Sequence, residues 1–351
     1  MNLTDKQKLN QRMSLSLEDK IQLSKQRIKD WYNHWDGDVY VAFSGGWDST
    51  VLLHLVRSIY PDVVGVFSDT GLERPEIKEF VKTVPNVVRV RPKKHFKQVI
   101  EDCGYPLISK QTAYKIKILQ LGDIPKNHNT YNLYLTGINS KGEESKGWKL
   151  SEKWKYLVDS DIKISDECCN HLKKEPLHTY EKETGNKPFI GSMVEEGGFR
   201  ERLTKCNVYD KYKEKSYPLL FWTKDDINNY TKMFDLDICS AYYDRVVDDN
   251  GTEVACAKTP DHFTSYLESL TFTSEYGGIK MYKDSNGESY SLIPAEERTG
   301  CMFCMFGVHL EKGANRFQKM AITHPRHWDT CINKIGLKKP LDLINVKYIP
   351  E

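Results

Sequence analysis

The stretch Val39-Tyr-Val-Ala-Phe43 runs directly into Ser44-Gly45-Gly46-Trp47-Asp48-Ser49-Thr50 and then into the apolar residues of 50–59. That order reads as a buried strand, a glycine turn and a helix. Two glycines let backbone amides crowd around an anion, the helix N-terminus adds a positive dipole, and the hydroxyls of Ser44, Ser49 and Thr50 add donors. A carboxylate inside such a turn repels bare phosphate, so Asp48 is expected to act through a Mg²⁺ that bridges phosphate oxygens. The turn is not a Walker loop. No G-x-x-x-x-G-K-[ST] occurs, and the pairs Gly137/Gly142 and Gly142/Gly147 lack its lysine. An ordinary serine-glycine β–α turn is the plain alternative, but strand, Ser-Gly-Gly, Asp-Ser and helix arrive in register.

Working outward, 63–67 reads as a second strand ending on Ser68-Asp69, 75–84 as a helix with proline in its first turn, 87–90 as a third strand and 95–103 as a helix. This rhythm predicts an α/β fold with a doubly wound, Rossmann-like, mostly parallel sheet. Upstream, the first ten residues are polar and expected to be loose, and 17–35 has helical spacing behind a Ser16 cap. Downstream, 108–183 is rich in Lys and Asn with poor periodicity; Trp148, Trp154 and Tyr156 suggest helices over the sheet. A strand is expected at 188–194 and a helix at 223–234, capped by Thr223. DDNG, GG and DSNG turns mark an insertion, and the tail from 311 to 344 reads as helices broken at Pro325 and Pro340. The expected division is 1–37, an N-terminal helical arm; 38–245, the α/β domain; 246–298, the insertion; and 299–351, a Cys-x-x-Cys and helical segment.

The chain has 351 residues, 39% hydrophobic and 28% charged, with net charge +2. Such a balance excludes a generic polycation but leaves room for local basic patches. No run of about 18 apolar residues supports a membrane span, and the polar start predicts a cytoplasmic protein. Nine cysteines, including the adjacent Cys168-Cys169, suit a disulfide framework poorly in a reducing compartment. Cys301-x-x-Cys304 together with Cys168 and Cys169 makes four thiolates able to hold zinc or an iron–sulfur cluster; the adjacent pair tilts the reading toward the cluster. Cys206 is a reserve ligand, and Cys331 is an open candidate read as more structural than nucleophilic. Cys103, Cys239 and Cys256 read as core residues.

Ser-Gly-Gly-x-Asp-Ser after the first strand resembles the PP-loop of the adenine-nucleotide α-hydrolase (HUP-type) superfamily. Within it the chain looks like the phosphoadenosine-phosphosulfate (PAPS) reductase family. Ser68-Asp69-Thr70-Gly71-Leu72-Glu73 resembles that family's second-strand motif, Cys168-Cys169-Asn-His-Leu-Lys173-Lys174-Glu-Pro176-Leu177 its cysteine-basic-Pro-Leu segment, and Pro218-Leu-Leu-Phe-Trp222-Thr223-x-x-Asp226 its helix-opening signature. The loop departs from the reductase type in carrying Trp47 where that type carries lysine, which puts a base-stacking or a packing role in its place. The resemblance implies an adenine nucleotide such as ATP with Mg²⁺, and a [4Fe-4S] cluster on Cys168, Cys169, Cys301 and Cys304. It implies catalytic roles for Ser44, Asp48 and Lys110, and nucleotide contacts from Ser44, Gly45, Gly46, Asp48, Ser49, Thr50, Asp69, Arg200 and Arg202.

Reductases of the family carry a C-terminal Glu-Cys-Gly-x-His, whereas the last cysteine here is Cys331, in Asp329-Thr-Cys-Ile-Asn333. The resemblance therefore favours relatives that adenylate an acceptor, release pyrophosphate and insert sulfur. Implied partners are a cysteine desulfurase or other sulfur donor and a nucleic-acid or small-molecule acceptor, with no membrane. A sulfonucleotide reductase using another thiol and a non-catalytic nucleotide-binding regulatory or defence module are the alternatives. The basic block Arg89, Arg91, Lys93, Lys94, His95 and Lys97 lies at a sheet edge where anions are expected, with a solvated face as the plain reading.

Overall fold

The computed structural model describes residues 4–211 and 213–350. The N-terminus departs from expectation. Thr4 and Gln7 form a capping box that starts α1 (Asp5–Met13), and Leu9 is buried in the core, so this polar segment is held at both levels. α2 (Leu17–His34) follows, capped by Ser16. Next come β1 (Val39–Ala42), α3 (Trp47–Arg57), β2 (Val64–Ser68), α4 (Pro75–Thr83), β3 (Val87–Val90) and α5 (Phe96–Cys103).

The aperiodic middle holds α6 (Lys110–Gln120), α7 (His128–Thr136) and α8 (Glu175–Thr184), the last preceded by a wide π turn at Asn170–Lys174. β4 (Lys187–Phe189) is shorter than the strand expected at 188–194. The chain leaves the sheet because Gly191 must pass the glycine loop: a Cβ there would lie 3.3 Å from the Asp48 carbonyl oxygen. β5 (Asn207–Val208), β6 (Lys215–Ser216) and α9 (Lys224–Met233) complete the first unit. Its sheet runs β3-β2-β1-β4-β6-β5, parallel except for β5 against β6. The chain builds outward from β1 to β3 and then returns to β4 on the other side of β1. The carboxyl end of β1 is thus a topological switch point, where open α/β sheets place ligands.

A second, antiparallel sheet follows: β7 (Arg245–Asp248), β8 (Glu253–Cys256), α10 (Pro260–Glu268), β9 (Thr271–Tyr276), β10 (Ile279–Lys283) and β11 (Ser289–Ile293), in the order β8-β7-β11-β10-β9. The tail forms α11 (Arg316–Thr323), α12 (Pro325–Asp329) and α13 (Lys338–Leu343). Pro325 opens α12, and Pro340 sits in the first turn of α13, where the missing N–H costs little, so it does not break the helix.

A buried charge cluster joins the units. Arg245, with a fully buried side chain, places Nη2 3.3 Å from Glu76 of α4, and His324 Nε2 lies 3.5 Å from the same carboxylate. Burial alone would raise the Glu76 pKa, but His324 and Arg245 outweigh it and hold the carboxyl at about 2. No helix among the described residues is long and apolar enough to cross a membrane.

Candidate functional site: a glycine loop facing a cysteine turn

Gly45 has φ +71°, and a Cβ there would meet Val81 Cγ2 at 2.8 Å, so α4 packs against a backbone only glycine permits. The loop is closed on itself. Ser44 N–H donates to Ser49 Oγ at 3.2 Å, Gly46 N–H to Ser44 Oγ at 3.3 Å, and the Ser49 and Thr50 hydroxyls both donate to the Gly46 carbonyl at 2.9 Å. The hydroxyls of Ser49 and Thr50 therefore hold the turn, while Ser44 is exposed at its mouth. Asp48 is pushed up to about 6 by burial first and then by Glu196, against the lowering pull of Arg298, Arg200 and Lys224. Arg200 is oriented by Glu196 at 3.0 Å, and Arg202 is exposed on the same short turn.

Trp47 points away from the mouth. Its Nε1–H donates to Thr231 Oγ1 of α9 at 2.7 Å, and its ring packs on Tyr242 with centroids 5.4 Å apart. This is the packing role, not a stacking platform. Its backbone N–H, at the helix N-terminus where a phosphate oxygen would be bound, donates instead to Tyr242 Oη at 3.1 Å, and Tyr242 Oη lies 2.7 Å from Thr299 Oγ1. Tyr242 and Thr299 flank the second sheet in sequence, so that sheet is tied to the loop at both ends. Neither was among the residues expected from sequence. Tyr242 is 195 residues from Trp47 and carries no local signal, whereas Thr299 directly precedes Gly300-Cys301.

The cysteine turn comes to the same place through backbone bonds. Met302 N–H donates to the Leu72 carbonyl at 2.8 Å, and Gly307 N–H to the Ile108 carbonyl at 2.8 Å. Ser68 Oγ donates to the Leu172 carbonyl at 3.1 Å, which ties the second-strand motif to the Cys168-Cys169 segment. A cavity of about 160 Å³ results, lined by Ser44, Ser68, Glu73, Lys173, Thr299 and Cys301 among others. Three of the four motifs that carried the resemblance thus meet in one pocket. Glu73 and Lys173 are polar groups on its wall beyond the site residues expected from sequence.

Cys168, Cys169, Cys301 and Cys304 come within electrostatic reach of one another. Burial first, then the other three thiols, raise Cys168. The negative charge that Cys301 would carry as a thiolate raises Lys173 in turn. Among the described residues no three His, Cys, Asp or Glu side chains close on a point that would hold one metal ion. The donor set, four thiols on two separate segments, is of the type that zinc and iron–sulfur clusters both use.

Cys206 does not belong to this set, which corrects its place as reserve ligand. It is buried in the core around α2 and β1, beside Arg12 and Arg27, while the other thiols lie by the core of α5, α6 and the C-terminal helices. Cys331 is fully buried, and burial raises its thiol. Cys239 and Cys256 are buried; Cys103 is half-buried, with Sγ 3.6 Å from His171 Nε2.

Lys110 opens α6 and is exposed, and it is not one of the residues that line the pocket. Asp69 directly follows β2, but Arg89 at 2.6 Å and Arg91 at 3.6 Å engage its carboxylate. Burial raises the Asp69 pKa, and Arg89 with Lys78 and the Gly71 N–H more than offsets this. The basic block is spent largely within the fold, since Lys94 pairs with Asp102 and His95 caps α5.

The family model for the phosphoadenosine phosphosulfate reductase domain matches residues 38–137 and 128–304. An adenosine 5′-phosphosulfate reductase of Geobacillus kaustophilus is 27% identical over 201 residues, which span 57% of this chain and 65% of that protein. A phosphoadenosine 5′-phosphosulfate reductase of Buchnera aphidicola is 24% identical over 245 residues, 70% of this chain and 82% of that one. A crystal structure described as PAPS reductase from Candida auris in a phosphate complex aligns with 65% of this chain and 91% of its own, at 16% identity and TM-score 0.36. With most of its length matched by the family model, the chain belongs to the phosphoadenosine phosphosulfate reductase domain family.

Proposed function

We propose that the chain binds ATP with Mg²⁺ at the glycine loop, activates an acceptor by adenylation and supports sulfur transfer at the cysteine turn. The observation that carries this reading is the shared pocket: Ser44 of the loop and Cys301 of the turn line one cavity. The amides of Gly45 and Gly46, and that of Trp47 once released from Tyr242, would face the phosphates, with Ser44 at the mouth and Arg200 nearby for their charge. Asp48 would hold Mg²⁺, which neutralises phosphate charge as pyrophosphate leaves. An acceptor oxygen attacks the α-phosphorus, the bond to pyrophosphate breaks, and the acceptor leaves as an adenylate from which a sulfur nucleophile later displaces AMP. Cys168, Cys169, Cys301 and Cys304 would hold a [4Fe-4S] cluster, which supplies sulfur-handling or redox capacity; Lys173 would balance its negative charge.

A sulfonucleotide reductase is the second reading, favoured by the descriptions of the relatives at 27% and 24% identity. The burial of Cys331 weighs against that thiol as its nucleophile. ATP–pyrophosphate exchange separates the two. The wild-type chain is expected to exchange label and Asp48→Ala to lose it; exchange that survives Asp48→Ala removes the assigned role. Anaerobic protein is expected to contain about four irons and four sulfides, as four thiolate ligands imply, whereas stoichiometric zinc overturns the cluster.

A further inference from the structure

Next to the loop pocket, adjoining it at Gly300 and Cys301, lies a much larger cleft of about 750 Å³ between the second sheet and α11. Arg74, Gly300 and Cys301 line both cavities, so the two spaces adjoin along these residues. Five cationic side chains line the cleft: Arg74, Arg298, Lys312, Arg316 and Lys319. The three guanidinium groups are fixed in place. Arg74 lies 2.6 Å from Glu296, Arg298 lies 3.5 Å from Glu196, and Arg316 Nε–H donates to Glu311 at 2.6 Å. Arg316 also donates to the Cys304 carbonyl at 3.1 Å, which ties the cleft to the cysteine turn. Lys312 and Lys319 form no ion pair with another described residue, and their charge stays available to a ligand.

We propose that this cleft binds the second substrate, a phosphate-bearing molecule of mononucleotide size, so that its reacting end reaches the loop-bound nucleotide at the edge by Cys301 where the two cavities adjoin. The assignment rests on the two-substrate reading above and adds the place and chemical class of the acceptor. Two unpaired ammonium groups beside oriented guanidinium groups suit a phosphate. Glu296, Glu297 and Glu311 on the same walls accept hydrogen bonds, which suits the hydroxyl and amino donors of a nucleoside and disfavours a bare polyanion. The volume falls in the range that small-molecule sites occupy, about 300–1,000 Å³. A duplex would need an open groove, and three carboxylates on the walls repel a continuous phosphate backbone.

The test uses uridine 5′-monophosphate, a mononucleotide without adenine, titrated calorimetrically into the full chain already saturated with a non-hydrolysable ATP analogue. One further binding event is expected. Lys312→Glu with Lys319→Glu is expected to weaken it about tenfold or more, since two charge-assisted contacts are lost, and to leave the affinity for the analogue unchanged. Asp48→Ala is expected to do the reverse. The milder Lys312→Ala, Lys319→Ala pair, with the wild-type circular dichroism spectrum as a check on folding, is expected to weaken the same event less. Competition between uridine monophosphate and the analogue, binding unaffected by both lysine pairs, or no second event at all overturns the proposal. Pyrophosphate exchange is scored separately: exchange without a second event leaves the functional reading standing and removes the cleft, and a second event without exchange does the opposite.

Discussion

The glycine loop and the cysteine turn face each other across one pocket, yet they are built by opposite means. Apart from the bonds of Trp47 to Tyr242 and Thr231, the loop takes its hydrogen bonds from its own consecutive residues, with Ser49 Oγ bonded to both Ser44 and Gly46. The turn takes its partners from afar: Leu72, Ile108 and the segment at Lys173. A self-closed loop keeps its shape when its surroundings change, whereas a turn assembled from remote segments depends on how the second sheet and the C-terminal helices are seated. The contact between them is Tyr242 with Thr299, and the seat itself is Arg245, Glu76 and His324.

The sharpest way to break that contrast is Glu76→Gln. Removing one partner of a buried charge cluster is expected to cost about 3–5 kcal/mol, read by denaturant unfolding, and to disturb the cysteine turn more than the loop. The Glu76 pKa is depressed from 4.5 to about 2, so its contribution is present above the ordinary value and is lost as pH falls through that window. The opposite sign is expected at the loop. Asp48 sits at about 6 against an ordinary 3.8, so its contribution to stability is greatest when it is protonated and falls as pH rises through 6. Asp48→Asn is therefore expected to stabilise the free protein above neutrality by about 1–3 kcal/mol while abolishing Mg²⁺-dependent nucleotide binding. Mg²⁺-dependent affinity of the wild type should also decline below pH 6; a flat profile there contradicts the ligand role.

Tyr242→Phe probes the contact between the two regions. It keeps the ring on Trp47 and removes the hydroxyl, at a stability cost of about 1 kcal/mol. It also frees the Trp47 amide, so nucleotide should bind tighter than to wild type, as tryptophan fluorescence would report; unchanged affinity shows that the hydroxyl does not compete with phosphate. The smallest effect is expected from Cys206→Ala, which should leave iron content unchanged. A loss of iron would return Cys206 to the ligand set.

The legibility of the sequence follows the same divide. Strand, glycine turn and helix at 39–59 are readable because the chemistry is local, and so is the alternation that gives the parallel sheet. The early end of β4 was not, because Gly191 leaves the sheet to clear a loop more than a hundred residues earlier. Nor was α1, whose capping box and single buried leucine are too short a signal beside its polar residues. The cysteine spacing singles out four thiols, and the place of the solitary Cys206 was decided only by the core it enters. The tasks of Trp47, Tyr242 and Thr299 depend on contacts over long separations that no local pattern encodes.

Adenylation and sulfonucleotide reduction are separated most directly by product partition. Anaerobic protein is supplied in parallel with ATP labelled at the α-phosphate and with each of the two sulfonucleotides, and the products are separated. Labelled AMP or adenylated acceptor with equimolar pyrophosphate is expected from ATP, and no sulfite from either sulfonucleotide. Thiol-dependent sulfite release with no pyrophosphate from ATP would contradict adenylation.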